Sequence, residues 1–470
     1  MSRPLTAVLI GAGDRGYRAY APYALKHPDA LRFVAVAEPN AERRARFATA
    51  HAIPPAGQFA GWQPLLAEGR IADVAFVTTL DRMHTGPALA AMDVGYDVLL
   101  EKPMATTLEA CVGLVQAAER TGRLLQICHV LRYAPFFERL HAIVTSGRLG
   151  EILTVEHREN VSYWHMAHSY VRGNWRRSDV ESPMILAKSC HDLDILTWNL
   201  GPARRLSSFG SLQHFRADKA PPGAPAYCLD GCPAAERCPW YAPRLYIDLI
   251  PLMRMARHSP NRAERAAAHL YLTHPGLTKA LRRLLPPLDE ALDYRGWPIS
   301  VISEDHSVEA RLEALRTGPY GRCVYHCDND VVDHQVLNLE MESGATVAFT
   351  MHGHSHREGR TLRYDGSRAT LRGCFFTYEQ ELEIHDHLTG QKEVIRFEAG
   401  GPDEGHGGGD LRLVEGFVRA VRGEAEPLTT ARESLESHLM AFAAEEARVE
   451  GRVVEMATFR ERAEARGKRT

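Results

Sequence analysis

Leu5-Thr6-Ala7-Val8-Leu9-Ile10-Gly11-Ala12-Gly13-Asp14-Arg15-Gly16 opens the chain with an apolar run and three glycines spaced Gly-x-Gly-x-x-Gly. Positions 17–26 then read as a helix, and a second apolar run, 33–37, ends in Glu38. This is the order of a βαβ unit that binds a dinucleotide. Gly11 permits the tight turn, Gly13 lets backbone approach a pyrophosphate, and Gly16 lets helix and strand close up. Ala12, Asp14 and Arg15 complete the loop, and the free N–H groups at the helix start take the pyrophosphate. Glu38 is placed to bond a ribose 2′-hydroxyl and to repel a 2′-phosphate, so NAD is expected over NADP. Arg43 and Arg44, a turn into the next helix, offset part of that repulsion.

The alternation continues. Positions 40–51, 84–94 and 106–121 read as helices, the last capped by Thr106 or Thr107, and 73–79, 96–100 and 124–130 read as strands. Strands separated by helices predict a doubly wound parallel sheet, with ligands on the rim of strand C-terminal ends. Thr78, Thr79, His84, Glu101, Lys102 and His129 fall on that rim. The pattern changes after position 131. Helices are predicted at 136–146, 189–199, 411–422 and 430–450, with strands at 152–160, 331–341, 345–352, 369–372 and 381–385. The expectation is a Rossmann domain over 1–131 and an α+β domain over 132–470 with a large, open, mainly antiparallel sheet. Positions 213–322, with Pro221-Pro222, Pro286-Pro287 and three cysteines, read as an insertion with little core of its own.

Composition narrows the partners. The 470 residues are 45% hydrophobic and 24% charged, with a formal net charge of −3. That gives no basic field for nucleic acid or an anionic membrane. No apolar run approaches a membrane span. Met1-Ser2-Arg3-Pro4 runs straight into the first strand, which leaves no room for a signal peptide. A cytoplasmic protein is expected, its nine cysteines reduced or metal-bound.

Gly11 to Gly16, Glu101-Lys102-Pro103, Arg132-Tyr133-Ala134-Pro135, Gly147-Arg148-Leu149-Gly150-Glu151-Ile152 and His191-Asp192-Leu193-Asp194 stand in an order that resembles the Gfo/Idh/MocA family of NAD(P)-dependent sugar oxidoreductases. Spacing agrees over 5–201; the later sheet agrees in pattern only. The resemblance implies that Lys102 lies beside the nicotinamide and the reacting carbon, and that His191 supplies the acid/base group. It also implies that the open sheet face meets another subunit. The family commonly has an aspartate four residues before that histidine; here the position is Ala187, followed by Lys188. Asp194 matches the family's downstream acid.

Oxidising a secondary alcohol needs a hydride acceptor and a group that takes the hydroxyl proton. His191 is the natural acceptor near neutrality. Lys102 either takes a proton in its neutral form or polarises the oxygen as a cation. Pro103 fixes the backbone there, and a cis peptide suits it. Thr79 to His84 occupies the family's nicotinamide loop, so His84 is assigned a ribose or nicotinamide contact. Arg132 and Tyr133 at the domain crossover, and Trp175 in the aromatic run with Tyr163, Trp164, His165, His168, Tyr170 and Arg176, are assigned to the substrate. Lys188 is given an anionic group of the substrate, and His406, before a helix, closes over the cleft.

Cys228, Cys232 and Cys238 gather three thiols in eleven residues, with Cys323 or Cys327 as a fourth. They read as a zinc or iron–sulfur clip, or as reduced thiols. His352, His354 and His356 alternate, which on a strand puts them on one face, as an interface, substrate or metal group. The leading function is an NAD(P)-dependent oxidoreductase acting on a sugar, polyol or derivative. The alternatives are a redox-neutral glycoside hydrolase that retains its NAD and a non-catalytic nucleotide sensor.

Overall fold

A computed structural model of the chain describes residues 3–284, 294–398 and 405–467. Six strands form the first sheet: β1 (Leu5–Ile10), β2 (Leu31–Ala37), β3 (Gln58–Phe59), β4 (Val74–Val77), β5 (Asp97–Leu100) and β6 (Leu125–Ile127). Their order is β3-β2-β1-β4-β5-β6 and all pairings are parallel. The order reverses between β1 and β4, and ligands of such sheets bind outside that switch point. The strands are continuous apolar runs because helices cover both faces. The helix Leu108–Thr121 is capped by Thr107, whose side chain accepts from Ala110 N–H. β3 has two residues, too few for periodicity to show.

Nine strands form the second sheet: β7 (Ile152–Ser162), β8 (Ala203–Ser211), β9 (His334–Met341), β10 (Thr346–Ser355), β11 (Gly359–Gly366), β12 (Ala369–Phe376), β13 (Glu379–Asp386), β14 (Lys392–Arg396) and β15 (Val454–Glu455). Their order is β14-β13-β12-β11-β7-β10-β9-β8-β15, antiparallel except for β7 on β10. The helix Cys190–Leu200 and the long helix Ala431–Glu450 pack on its inner side. Thr430 and Glu433 close the start of the latter as a reciprocal capping box.

The chain then returns to its beginning. Helix Gly409–Val421 lays Leu413, Val414, Phe417 and Val418 on the first sheet, among Leu9, Phe33, Val36 and Phe76. The first domain is therefore completed by residues from near the C-terminus.

The insertion departs from expectation. It holds helices Ala242–Tyr246, Ile250–Ala256, Arg262–Thr273, Pro275–Leu284, Ile299–Ile302 and Val308–Thr317. Leu245, Tyr246, Leu252, Met253, Ile299 and Leu315 form its own apolar cluster, with Trp164 of the main domain built in. Short helices sharing one core give weak periodicity singly, which is why the segment reads as loop. Pro286-Pro287 lie outside the described residues.

Candidate active site

The glycine loop does what its stereochemistry requires. Gly11 has φ +93°, and its N–H donates to Ala37 O at 2.9 Å. A Cβ on Gly16 would stand 2.4 Å from Gly11 O and 2.6 Å from Thr78 Oγ1, so only glycine fits. Thr78 Oγ1 donates to Gly11 O at 2.6 Å and ties β4 to the loop. A Cβ on Gly13 would meet nothing within 4 Å, the open space a pyrophosphate needs. Glu38 is buried; its Oε2 accepts from Ala12 N–H at 2.8 Å and its Oε1 from Asn40 N–H at 2.9 Å. These residues fit a dinucleotide, with Glu38 beside the ribose.

Arg15 turns inward instead of toward a phosphate. Its guanidinium bonds Glu101 Oε1 at 2.5 Å, Tyr20 OH at 2.6 Å and Asp410 Oδ1 at 2.8 Å. Only its backbone is left for the cofactor. Glu101 is buried, which alone would raise its carboxyl, but Arg15 and Lys102 outweigh that and hold it below the ordinary value. Asp14 receives a hydrogen bond from Ser300 Oγ of the insertion at 3.2 Å.

Lys102 stands after β5, before a cis bond to Pro103. Its Nζ donates to Ala187 O at 2.8 Å, so the main chain serves where the family commonly has a carboxylate. His84 is fully buried, with Nδ1 2.7 Å from Pro103 O and Nε2 3.1 Å from Thr79 O. It fixes both loops and acts through them rather than by its own contact. Thr79 Oγ1 is buried without a partner.

His191 lies at the start of the helix Cys190–Leu200, and both its ring nitrogens are buried and unpartnered. Burial first, then Lys102, His129 and His406, push its pKa well below 6.5, so the ring is neutral. The rings of His129 and His406 each lie 5.7 Å from it. His406 has φ 52° and bonds Asp410 at 3.1 Å through Nδ1. Trp175 Nε1 donates to Asp81 at 2.9 Å, which anchors the aromatic segment beside the rim.

Three substrate assignments fall away. Arg132 is buried in a bidentate pair with Asp194, at 2.8 and 2.7 Å, and donates to Leu428 O at 2.9 Å. Tyr133 is buried, its hydroxyl accepting from Gln126 at 3.1 Å. Both brace the domain crossover, and Asp194, being committed to Arg132, does not orient His191. The Lys188 ammonium sits 3.0 Å from Glu358 and 3.3 Å from Glu159, so its charge is already neutralised for any anionic group.

The metal clip is also corrected. Cys228, Cys232, Cys238 and Cys323 line one small apolar cavity, but among the described residues no group of three or more His, Cys, Asp or Glu is placed to hold a metal. The buried Arg172 guanidinium lines the same cavity, 3.7 Å from Cys228 Sγ and 2.7 Å from Trp240 O. Burial raises the Cys238 and Cys323 thiols, which keeps them protonated. His352 bonds Asn160 at 3.2 Å while His354 stacks on Phe215, so those histidines do not converge either.

Sequence inspection had no signal for Asp410 as partner of Arg15, a contact that spans 395 positions. It also missed Glu358, which takes Ser162 N–H, His165 and Lys188.

A parallel sheet with a glycine loop at its switch point, facing a lysine and an unpartnered imidazole, defines a two-domain dinucleotide-binding oxidoreductase. Residues 5–129 match the oxidoreductase family with the NAD-binding Rossmann fold, GFO_IDH_MocA, and residues 142–221 match that family's C-terminal alpha/beta domain. The chain belongs to the Gfo/Idh/MocA family. The Bacillus subtilis protein YteT is 21% identical over 361 residues, 73% of this chain and 71% of that protein. Inositol 2-dehydrogenase 2 of Saccharopolyspora erythraea is 35% identical over 131 residues, 27% of this chain; the match spans 35% of that relative's length. In fold, the chain is similar to an oxidoreductase from Agrobacterium radiobacter solved with NAD+, L-tartaric acid and magnesium. The TM-score is 0.63 at 14% identity, covering 97% of this chain and 99% of that one. No helix among the described residues is long and apolar enough to cross a membrane.

Proposed function

We propose that the chain is an NAD-dependent dehydrogenase that moves hydride between the cofactor and a secondary alcohol carbon of a sugar, polyol or sugar derivative. The observation that carries this is Lys102 set beside a neutral His191 whose two nitrogens are buried without partners. Bound NAD supplies the two-electron acceptor. His191 takes the hydroxyl proton, while Lys102 polarises the oxygen and stabilises the developing carbonyl. The carbon loses hydride and the oxygen loses its proton, leaving a ketone and a protonated imidazole. His406, held by Asp410, borders the same space. The relationship to inositol 2-dehydrogenase 2 supports a polyol-like substrate. Exposed Leu153, Phe209 and Val336 on the second sheet support self-association through its open face.

Ala187 in place of a family aspartate supports a second reading, a redox-neutral glycoside hydrolase that keeps its NAD. A panel of polyols and glycosides assayed with added NAD+ separates the two. Stoichiometric NADH is the expected result; aglycone release with no external NADH supports the second.

A further inference from the structure

The insertion reaches across to the first domain around residues 300–304. The helix Ile299–Ile302 brings Ser300 Oγ to Asp14 of the glycine loop, 3.2 Å away. Just beyond it, Glu304 bonds Arg43 Nε through Oε1 at 2.5 Å and Arg46 Nη1 through Oε2 at 2.7 Å. Both arginines stand on the helix Ala41–Ala50, which follows β2 and Glu38.

That helix starts where a 2′-phosphate would lie. Asn40 N–H bonds the Glu38 carboxylate, and Asn40 Oδ1 caps Arg43 N–H. Arg43 is therefore one turn from the acid that takes the ribose hydroxyls. A dianionic 2′-phosphate needs a cation there to outweigh Glu38. Arg44 is committed to Glu38 O and Pro39 O. Arg46 also lies over the Tyr17 ring, 4.7 Å from its centre. One carboxylate from the insertion pairs with both Arg43 and Arg46, taking a nitrogen of each and offsetting one of their two charges.

We propose that Glu304 is a specificity-determining residue for the dinucleotide: by occupying Arg43 and Arg46 it excludes NADP and leaves NAD as the ligand. This rests on the glycine loop cradling a nicotinamide dinucleotide. The insertion thus sets cofactor choice from the second domain, in addition to Glu38.

Calorimetric titration of the full chain with NAD+, NADP+ and 2′,5′-ADP tests this without any activity readout. Wild type should prefer NAD+ by at least about tenfold, or 1.4 kcal/mol. Glu304→Gln should tighten NADP+ and 2′,5′-ADP at least about tenfold and leave NAD+ nearly unchanged. Adding Arg43→Ala and Arg46→Ala to Glu304→Gln should remove that gain, and Glu304→Asp should keep NADP+ weak. NAD+ binding to Glu304→Gln serves as its folding control. Wild type that binds NAD+ while Glu304→Gln leaves NADP+ unchanged overturns the role of Glu304 alone. Wild type that binds neither dinucleotide overturns the glycine-loop reading with it.

Discussion

The two ends of the rim treat polar atoms in opposite ways. At the Glu38 end, both carboxylate oxygens take backbone N–H groups, and Arg43, Arg44 and Arg46 all have acceptors. At the Lys102 end, both nitrogens of His191 and of His129, together with Thr79 Oγ1, are buried with no partner. A buried polar group left unsatisfied costs about 1–3 kcal/mol. Apart from Arg46 Nε, which is buried without a partner, the first end is paired before anything binds, which suits selection. The other holds unmet hydrogen-bonding capacity that a reacting molecule can meet, which suits chemistry.

Pairs and unpaired rings should respond differently to mutation. The largest loss of stability should come from Arg132→Ala, which strands Asp194 as a buried charge. Breaking such a pair costs about 3–5 kcal/mol, readable as a fall in the urea midpoint. A change under about 1 kcal/mol would mean the pair behaves like a surface one.

The reverse is expected at the reacting end. His191→Phe removes two unsatisfied nitrogens and keeps an aromatic ring, so stability should hold or rise. Turnover should nevertheless fall at least about a hundredfold, as for loss of a positioned acid/base, and so should that of Lys102→Ala. Full turnover in either variant removes that residue from the reaction. Large destabilisation by His191→Phe would show that the ring is a packing element.

Acid gives the most graded effect. Burial first of all pulls His129 down to about 4 and His438 down to about 3, from 6.5. Between those values and 6.5 the unfolded chain binds more protons than the folded one. Stability is therefore full above about 6.5 and is lost as pH falls, by on the order of 1.4 kcal/mol per pH unit for each such histidine. Thermal melts at pH 7 and pH 5 should show the fall; a melting temperature that holds on acidification would mean these rings are charged in the folded state.

What could be foreseen tracks how far each cause lies along the chain. Gly11, Gly16 and Thr78 are explained by local backbone geometry and by adjacent parallel strands, so spacing alone placed them. The first sheet was legible because its strands are apolar on both faces. β11 was not, since it carries Arg360, buried against Asp192 and Glu159, and a charge on the inner face hides the alternation. Arg132, Tyr133 and Lys188 were misassigned for a related reason. A polar residue near a cleft looks like a ligand contact until its interior partner is known, and Asp194 lies 62 positions from Arg132. Local density of the three cysteines likewise said nothing of the guanidinium of Arg172 that lines the same cavity.

Helix Gly409–Val421 has one more consequence, for the order of events on the ribosome. Phe417 meets Phe76 edge to face, with ring centres 5.7 Å apart, and covers Leu9, Phe33 and Val36. Those strand residues emerge more than three hundred codons earlier. At typical synthesis rates that interval is roughly 15–70 s. Throughout it, one apolar face of the nascent first sheet lacks its cover. A chain whose translation stops ahead of this helix should carry that sticky face permanently, making truncated products a target for chaperones rather than a free-standing nucleotide-binding domain.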